Sequence, residues 1–468
     1  MDEPANGPTR YRLGPRSRRG LIAGWRSGQI ACVGTGLFLA VATMRSAPGL
    51  GGLLLALLLA AVSFAAATWS VKGLSVEEWA PTVTRYVLRS VAEGHFRPWT
   101  SKQRGLGGAL GHLSVFQLPG DEPIGVVTDG QCATWTAVVP VGGNGFALVS
   151  EDERAARIAA WSAVLAAMAS EAVGPHRLQW VARTYPAVLD GPPGTLPTTS
   201  AMAATSNAPA AAYERLLEDV TSHLWSREVL VALSIRAPGG RKAAAGRQHA
   251  AALRHQLARM SDRLRSAGLY PEDPLSPRLL ARCLRRSFDL SMVDDTTFWP
   301  WPVGIEEGWG WLHTDSSWQA TYWIAEWPRA EVGTQWLLPM LLGTGPRRTL
   351  SITMAPVSPQ RATRRAEHER TSGAADAELR RRHGFAVTAR ARREQEARLQ
   401  RELELADGHT GFRYSGYVTV TSETYEGLNE ACRRAEQAAA LARLELRRLF
   451  GSQQDGFCCS LPIGRGCR

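Results

Sequence analysis

Residues 29–44, QIACVGTGLFLAVATM, and residues 48–71, PGLGGLLLALLLAAVSFAAATWSV, are two uncharged apolar runs separated only by Arg45-Ser46-Ala47. The first run has 16 residues. As a helix rising about 1.5 Å per residue it reaches roughly 24 Å, short of a ~30 Å hydrocarbon core. Extension back through Trp25 lengthens it, with the Arg26 guanidinium snorkelling to the headgroups. The second run has 24 residues, enough to cross with some tilt. Two spans joined by so short a link form a tight hairpin, so both ends of the chain emerge on one side. Arg10, Arg12, Arg16, Arg18, Arg19 and Arg26 precede the pair, and Lys72, Arg85, Arg89 and Arg97 follow it, against Arg45 alone in the turn. The positive-inside rule then puts both termini in the cytoplasm and makes the chain a two-span protein of the cell membrane.

The rival reading is an export signal. Ser17-Arg18-Arg19-Gly20-Leu21-Ile22 resembles a twin-arginine signal, with residues 29–44 as its apolar region. That reading leaves the longer second run unexplained, and Arg45 is a poor start to a cleavage site.

The chain of 468 residues has room for the hairpin and two or three cytoplasmic lobes. Its net charge of +11 rests almost wholly on arginine, since Lys72, Lys102 and Lys242 are the only lysines. Much of that charge lies beside the hairpin, where anionic lipid is a sufficient partner; DNA binding is the less favoured alternative. Seven cysteines without a C-x-x-C pair give neither a disulfide framework nor a zinc site.

The expected class is α+β: a transmembrane hairpin followed by a cytoplasmic body of mixed or antiparallel sheets and long charged helices. Residues 1–20 read as a flexible basic arm, and 21–104 as the hairpin plus an amphipathic helix. Ser75 and Glu78 have capping-box spacing. Val76, Trp79, Val83, Val87 and Val91 form an apolar side, with Trp79 suited to the headgroup level. Residues 105–189 read as a first α+β lobe, with strands at 113–118, 124–128, 132–139 and 178–184 and a helix over 151–172. Residues 190–212 are a low-complexity loop.

A second α+β lobe spans 213–468. It holds helices at 213–225, 241–267 and 276–290, strands at 228–236, 317–326, 348–354 and 414–421, a long charged helical segment over 360–406, and a helix over 424–450. Within it, eight of the sixteen tryptophans fall between Trp299 and Trp336. With a single arginine and no lysine there, base stacking is disfavoured, and Trp318, Trp323, Trp327 and Trp336 are candidates for a core or a protein interface.

No catalytic constellation emerges. None of the three lysines follows a glycine, so no P-loop exists. Gly105, Gly107 and Leu110 fail the dinucleotide fingerprint at its last position, and G-x-S-x-G and H-E-x-x-H are absent. His249 and His255 are six apart, wrong for two ligands on one helix face. No enzyme, cofactor or metal site is expected.

Two regions resemble parts of one machine. The basic arm, the hairpin and Gly73-Leu74-Ser75-Val76-Glu77-Glu78-Trp79 resemble the small two-span membrane subunits of Gram-positive conjugation systems (PrgI-type). Four segments resemble the region that precedes the motor in the traffic ATPases of type IV secretion: residues 321–329 (TYWIAEWPR), 402–409 (ELELADGH), 416–421 (GYVTVT) and 461–466 (LPIGRG). In those ATPases the leucine-proline-glycine segment leads into the nucleotide-binding domain; here the sequence stops. The whole resembles an actinobacterial family that fuses the two parts and lacks the motor. The resemblance implies a non-catalytic assembly subunit that docks a separate traffic ATPase and other membrane subunits; homo-oligomerisation stays open. The membrane subunit of a type VII-like protein secretion system is the alternative.

Overall fold

The structure is a computed structural model that describes residues 27–47, 49–68, 70–71, 74–94, 96–98, 108–143, 149–169, 174–186, 225–238, 243–290, 299–328, 330–342, 347–357 and 411–466, with 364, 371 and 399 singly. Trp25, Arg26, nearly all of the helix expected at 360–406 and all of the one expected at 213–225 except Trp225, which opens a strand instead, lie outside those residues.

The apolar runs form helices α1 (Ser27–Ser46) and α2 (Leu50–Thr68), which lie against each other. Gln29 Nε2 donates to the Ala67 carbonyl at 2.8 Å. A Cβ at Gly36 would fall 2.1 Å from Ser63 Oγ, so the close crossing requires glycine there. Gly28–Ser46 is long and apolar enough to cross a membrane, whereas Leu50–Ala65 is a shorter apolar helix. The second run does not stay helical to Val71 as the sequence suggests. It leaves the helix after Thr68, and Ser70–Val71 (β1) pairs antiparallel with Leu74–Ser75 (β2). The outward side chains of both helices are unusually bare for apolar residues, Phe38 at 73 % exposed and Leu50 at 78 %. Arg45 stands exposed in the last turn of α1.

After α3 (Val76–Glu93), the described residues form one antiparallel sheet of thirteen strands, of which β3 (Phe96–Pro98) is the first in sequence. Its first half is β4 (Leu113–Gln117), β5 (Gly125–Asp129), β6 (Thr134–Gly143), α4 (Glu151–Ala169), β7 (Arg177–Pro186), β8 (Trp225–Arg236), α5 (Ala243–Ser266), β9 (Leu269–Pro271) and α6 (Pro277–Arg285). The second is β10 (Gly304–Glu307), β11 (Leu312–Thr314), β12 (Ser317–Glu326), α7 (Leu338–Leu342), β13 (Arg347–Val357), β14 (Gly411–Ser422), α8 (Tyr425–Leu441), β15 (Glu445–Arg448) and α9 (Gln453–Ser460). The path across the sheet is β3-β10-β11-β12-β14-β13-β7-β8-β6-β5-β4, with β9 added to β6 and β15 to β12.

The two halves repeat one plan. Each is a three-strand meander, a helix, two strands of which the second returns to pair with the meander's last strand, a helix, a short strand on that same last strand, and a closing helix. They join through the antiparallel β7–β13 ladder, from Arg348↔Thr184 to Met354↔Leu178, which makes that pair the axis of an approximate two-fold. Because β8 inserts between β6 and β7, the two lobes expected on either side of 190–212 share one sheet.

Strand alternation sorts the two faces. On one, α4 and α5 cover Leu178, Val231, Leu233 and Met354, while α8 covers Ala320, Tyr322, Leu350, Val418 and Val420. On the other, α6, α9 and the residues after α9 cover Val127, Val138, Val181, Leu230 and Ala232. Local signals start the helices: Ser276 Oγ accepts from Leu279 N at 3.4 Å before α6, with Pro277 in its first turn, and Thr424 Oγ1 accepts from Gly427 N at 3.1 Å before α8. The helix expected to run on to Phe450 stops at Leu441. Arg443 takes a left-handed φ of 56°, and Glu445–Arg448 becomes a strand on β12, because Leu444 and Leu446 alternate rather than follow helical spacing.

Candidate functional site

Two features distinguish the face that carries α3 and α9: a seam that binds α3 to the body, and a cradle for residues 459–466.

The seam is aromatic and charged. Trp79 of α3 stacks on Trp309 at 5.7 Å between ring centroids and lies 5.9 Å from Phe450. Tyr86, two turns on, meets Trp309 edge-on at 5.0 Å. One turn further, Arg89 reaches Glu307 at 3.7 Å and Asp455 at 3.6 Å. Burial, reinforced by the nearby Glu307 carboxylate, raises the Tyr86 phenol above its usual range and keeps it neutral. The body side is held in place by Gly451 N–H donating to the Trp309 carbonyl at 2.7 Å, and by the Glu307 carboxylate accepting from Gln454 N at 3.0 Å.

The sequence reading puts Trp79 on the same apolar side as the valines, at the headgroup level. The structure separates them. Trp79, Tyr86 and Arg89 lie toward the body, while Val83, Val87, Leu88 and Val91 stay exposed, Val91 at 81 %. Helical geometry explains this: at about 100° per residue, positions 79, 86 and 89 fall within an arc of about 80°, and 83, 87 and 91 fall on the adjoining arc of about the same width. The side chains of Ser75 and Glu78 lie outside the described residues, so the expected capping box is undescribed.

The cradle holds residues 459–466. This stretch has little backbone pairing of its own, and buried peptide groups without partners are costly. Side chains of the sheet supply them. Gln179 Nε2 donates to the carbonyls of Cys459 at 3.0 Å and Leu461 at 2.9 Å, and its Oε1 accepts from Gly464 N at 2.7 Å. Thr136 Oγ1 donates to the Ile463 carbonyl at 3.1 Å, Ser351 Oγ to that of Cys459 at 2.8 Å, and Thr353 Oγ1 to that of Arg465 at 2.7 Å. Gly464 is left-handed, φ 73°, and a Cβ there would sit 1.9 Å from Ser234 Oγ. Arg465 closes the arrangement on Asp129 with a two-pronged ion pair at 2.6 and 3.1 Å. Burial pushes the Asp129 carboxyl up, but the hydrogen bond and charge of Arg465 and the Cys132 amide outweigh it, and the net shift is downward.

The four candidate tryptophans do not form one patch. Trp318 packs against Trp311, His313 and Tyr425, at 4.8, 4.3 and 5.3 Å. Trp327 meets Trp336 at 6.2 Å and Tyr414 at 5.2 Å, and Trp323 lies on the opposite face of β12 from Tyr322. All four are half-buried. The tryptophan of greatest consequence is Trp309, one of eight in the dense stretch and not separable from them by sequence. Gln179, Ser234, Ser351 and Thr353 also escape sequence reasoning. As polar residues alternating with apolar ones they mimic a solvated strand face, yet all four are fully buried. Among the described residues no group of three or more His, Cys, Asp or Glu side chains converges to hold a metal.

A scan against protein-family models matches none, and a search of curated proteins finds no match. The functional reading therefore rests on the geometry and on the resemblance carried by the segments quoted above.

Proposed function

We propose that this chain is a non-catalytic, membrane-anchored assembly subunit of a conjugative, type IV-like transfer apparatus. In this reading α1 and α2 both cross the membrane, and the sheet body docks a separate motor ATPase at its cytoplasmic side. The observation that carries the reading is the two-sided α3: its aromatic and arginine side is fixed to the body, while Val83, Val87, Leu88 and Val91 are bare. A helix with one side bound to protein and the next apolar and exposed, following two helices with exposed apolar side chains, suits the boundary of a bilayer. The arginines on both flanks of the helix pair and the single Arg45 between them give the orientation.

Two experiments test this. Arg45→Cys in intact cells should react with a membrane-impermeant maleimide from outside, whereas Leu441→Cys, on the exposed end of α8, should react only after lysis. Reaction of both, or of Leu441→Cys alone, would refute the orientation. The protein purified in detergent from cells carrying its whole gene cluster should bring down a motor ATPase, and recovery of none would defeat the docking role.

A further inference from the structure

The sheet face opposite the cradle carries two arginines that the anchoring role does not use. Arg348 of β13 pairs in register with Thr184 of β7, and Thr184 pairs with Arg227 of β8. Residues directly opposite each other across a ladder point to one face, so Arg348, Thr184 and Arg227 form a row across three strands. Val420 of β14, the other partner of Arg348, is covered by α8 and fixes which face that is. With neighbouring strands about 4.8 Å apart, the two arginines start roughly 10 Å from each other with Thr184 midway, so their long side chains reach a common point above it.

Arg348 is only 5 % exposed, yet its charge has no counter-ion among the described residues. Its Nη1 donates to the Pro339 and Met340 carbonyls of α7 at 3.5 and 3.1 Å, which bring partial charge and not a full negative one. Its buried Nε has no hydrogen-bond partner. The Nε–Nη2 edge of the guanidinium, the fork that takes two oxygens side-on, is therefore left over. Thr184 is buried, and its hydroxyl has no hydrogen-bond partner among the described residues. Arg227 is exposed and opens the row to solvent. Burial alone lowers the pKa of both guanidiniums, with no carboxylate acting on either. A buried charge without a partner is costly, and a bound anion would remove that cost.

We infer that Arg348, Thr184 and Arg227 form a binding site for a phosphate monoester on the face that α4, α5 and α8 cover. Such a group has three free oxygens and a charge of about −1.5 to −2 at neutral pH, matching two guanidiniums. The Arg348 fork takes two of the oxygens, and the Thr184 hydroxyl and the Arg227 guanidinium take the third. A carboxylate, with two oxygens and one charge, leaves part of the row unused. The site stands independently of the membrane reading, since it uses no residue of α1, α2 or α3.

The test uses the full chain in an uncharged detergent at about pH 8, where phosphate is mostly a dianion. It is titrated calorimetrically with inorganic phosphate, with dimethyl phosphate as a diester and with acetate as a carboxylate. Arg348→Gln would remove the buried guanidinium together with its hold on α7, so the decisive variant is Thr184→Val/Arg227→Ala, which keeps the Arg348 contacts to Pro339 and Met340. Inorganic phosphate should bind the wild type and weaken at least about tenfold in that double variant, with affinity that falls as salt rises. Dimethyl phosphate and acetate should bind the wild type more weakly than phosphate does. Arg434→Ala on the exposed side of α8 should leave binding unchanged. The inference would be overturned by no measurable phosphate binding, by equal affinity in wild type and double variant, or by the same loss in Arg434→Ala. Dimethyl phosphate or acetate binding as tightly as phosphate would overturn it as well.

Discussion

Arg465→Met should be the most damaging single change near the end of the chain, and its size follows from the site. Arg465 and Asp129 are 6 % and 2 % exposed and meet through two hydrogen bonds of 2.6 and 3.1 Å. Methionine fills most of the volume but leaves the Asp129 carboxylate buried with only the Gln131 and Cys132 amides, at 2.9 and 3.2 Å. Breaking a buried pair from one side costs about 3–5 kcal/mol, whereas replacing both partners with apolar groups of similar volume is close to neutral. Urea unfolding followed by tryptophan fluorescence in detergent should show Arg465→Met destabilised by about 3–5 kcal/mol, and Asp129→Leu/Arg465→Met should recover at least about 2 kcal/mol of that loss. The pH dependence provides an independent check. In the wild type the Asp129 carboxyl is depressed on folding, so its stabilisation is present above the unfolded value of about 3.9 and is lost as pH falls through the lower folded value. In Arg465→Met, burial raises the same carboxyl, and protonation relieves the buried charge. The gap between variant and wild type should therefore narrow as pH falls toward 4. A single variant within about 1 kcal/mol of wild type, or a double variant no better than the single, would refute the argument that the pair pins the last residues to the sheet.

Gly464→Ala should cost about 2 kcal/mol or more in the same assay, since it combines a left-handed backbone with a Cβ placed 1.9 Å from Ser234 Oγ; a neutral result would mean that the cradle yields. Trp79→Ala should raise proteolysis and amide exchange over α3 by at least tenfold while leaving the core strands β7 and β13 protected; equal loosening of the sheet would show that α3 is part of the body's cooperative unit. His176→Gln should flatten the pH dependence of stability between about pH 6.5 and 4. In the wild type the folded state holds His176 neutral, with its pKa lowered to about 4, so the unfolded chain binds more protons in that window and stability falls as pH falls. An unchanged slope in the variant would show that burial, with the Arg177, Arg236 and Arg413 charges beside it, does not hold the imidazole neutral.

Much of the fold was legible because it is local. The runs at 29–44 and 48–71 specify apolar helices by length and absence of charge, and period-two alternation marks β5, β6, β12 and β14 to within a few residues. What misled was also local. Leu444 and Leu446 suit a helix or a strand, and only the open edge of β12 selects the strand. Val76, Trp79 and Val83 share an apolar side on paper, and only Trp309 and Phe450, more than two hundred residues later in the chain, turn Trp79 toward the body.

The sequence by itself determined that two apolar helices precede a basic α+β body, because hydrophobic length and side-chain period are properties of neighbouring residues. Tertiary structure decided the rest. It joined two copies of one plan through β7 and β13, although α4 has 19 residues and its counterpart α7 has 5, so that no shared spacing announces the repeat. It also turned Gln179, Ser234, Ser351 and Thr353 from an apparent solvent face into the hydrogen-bonding bed for residues 459–466. Burial of a polar strand face depends on what lies over it, and here the cover is a segment 108 or more residues later in the chain, whose peptide groups need the side chains that an apolar face could not supply.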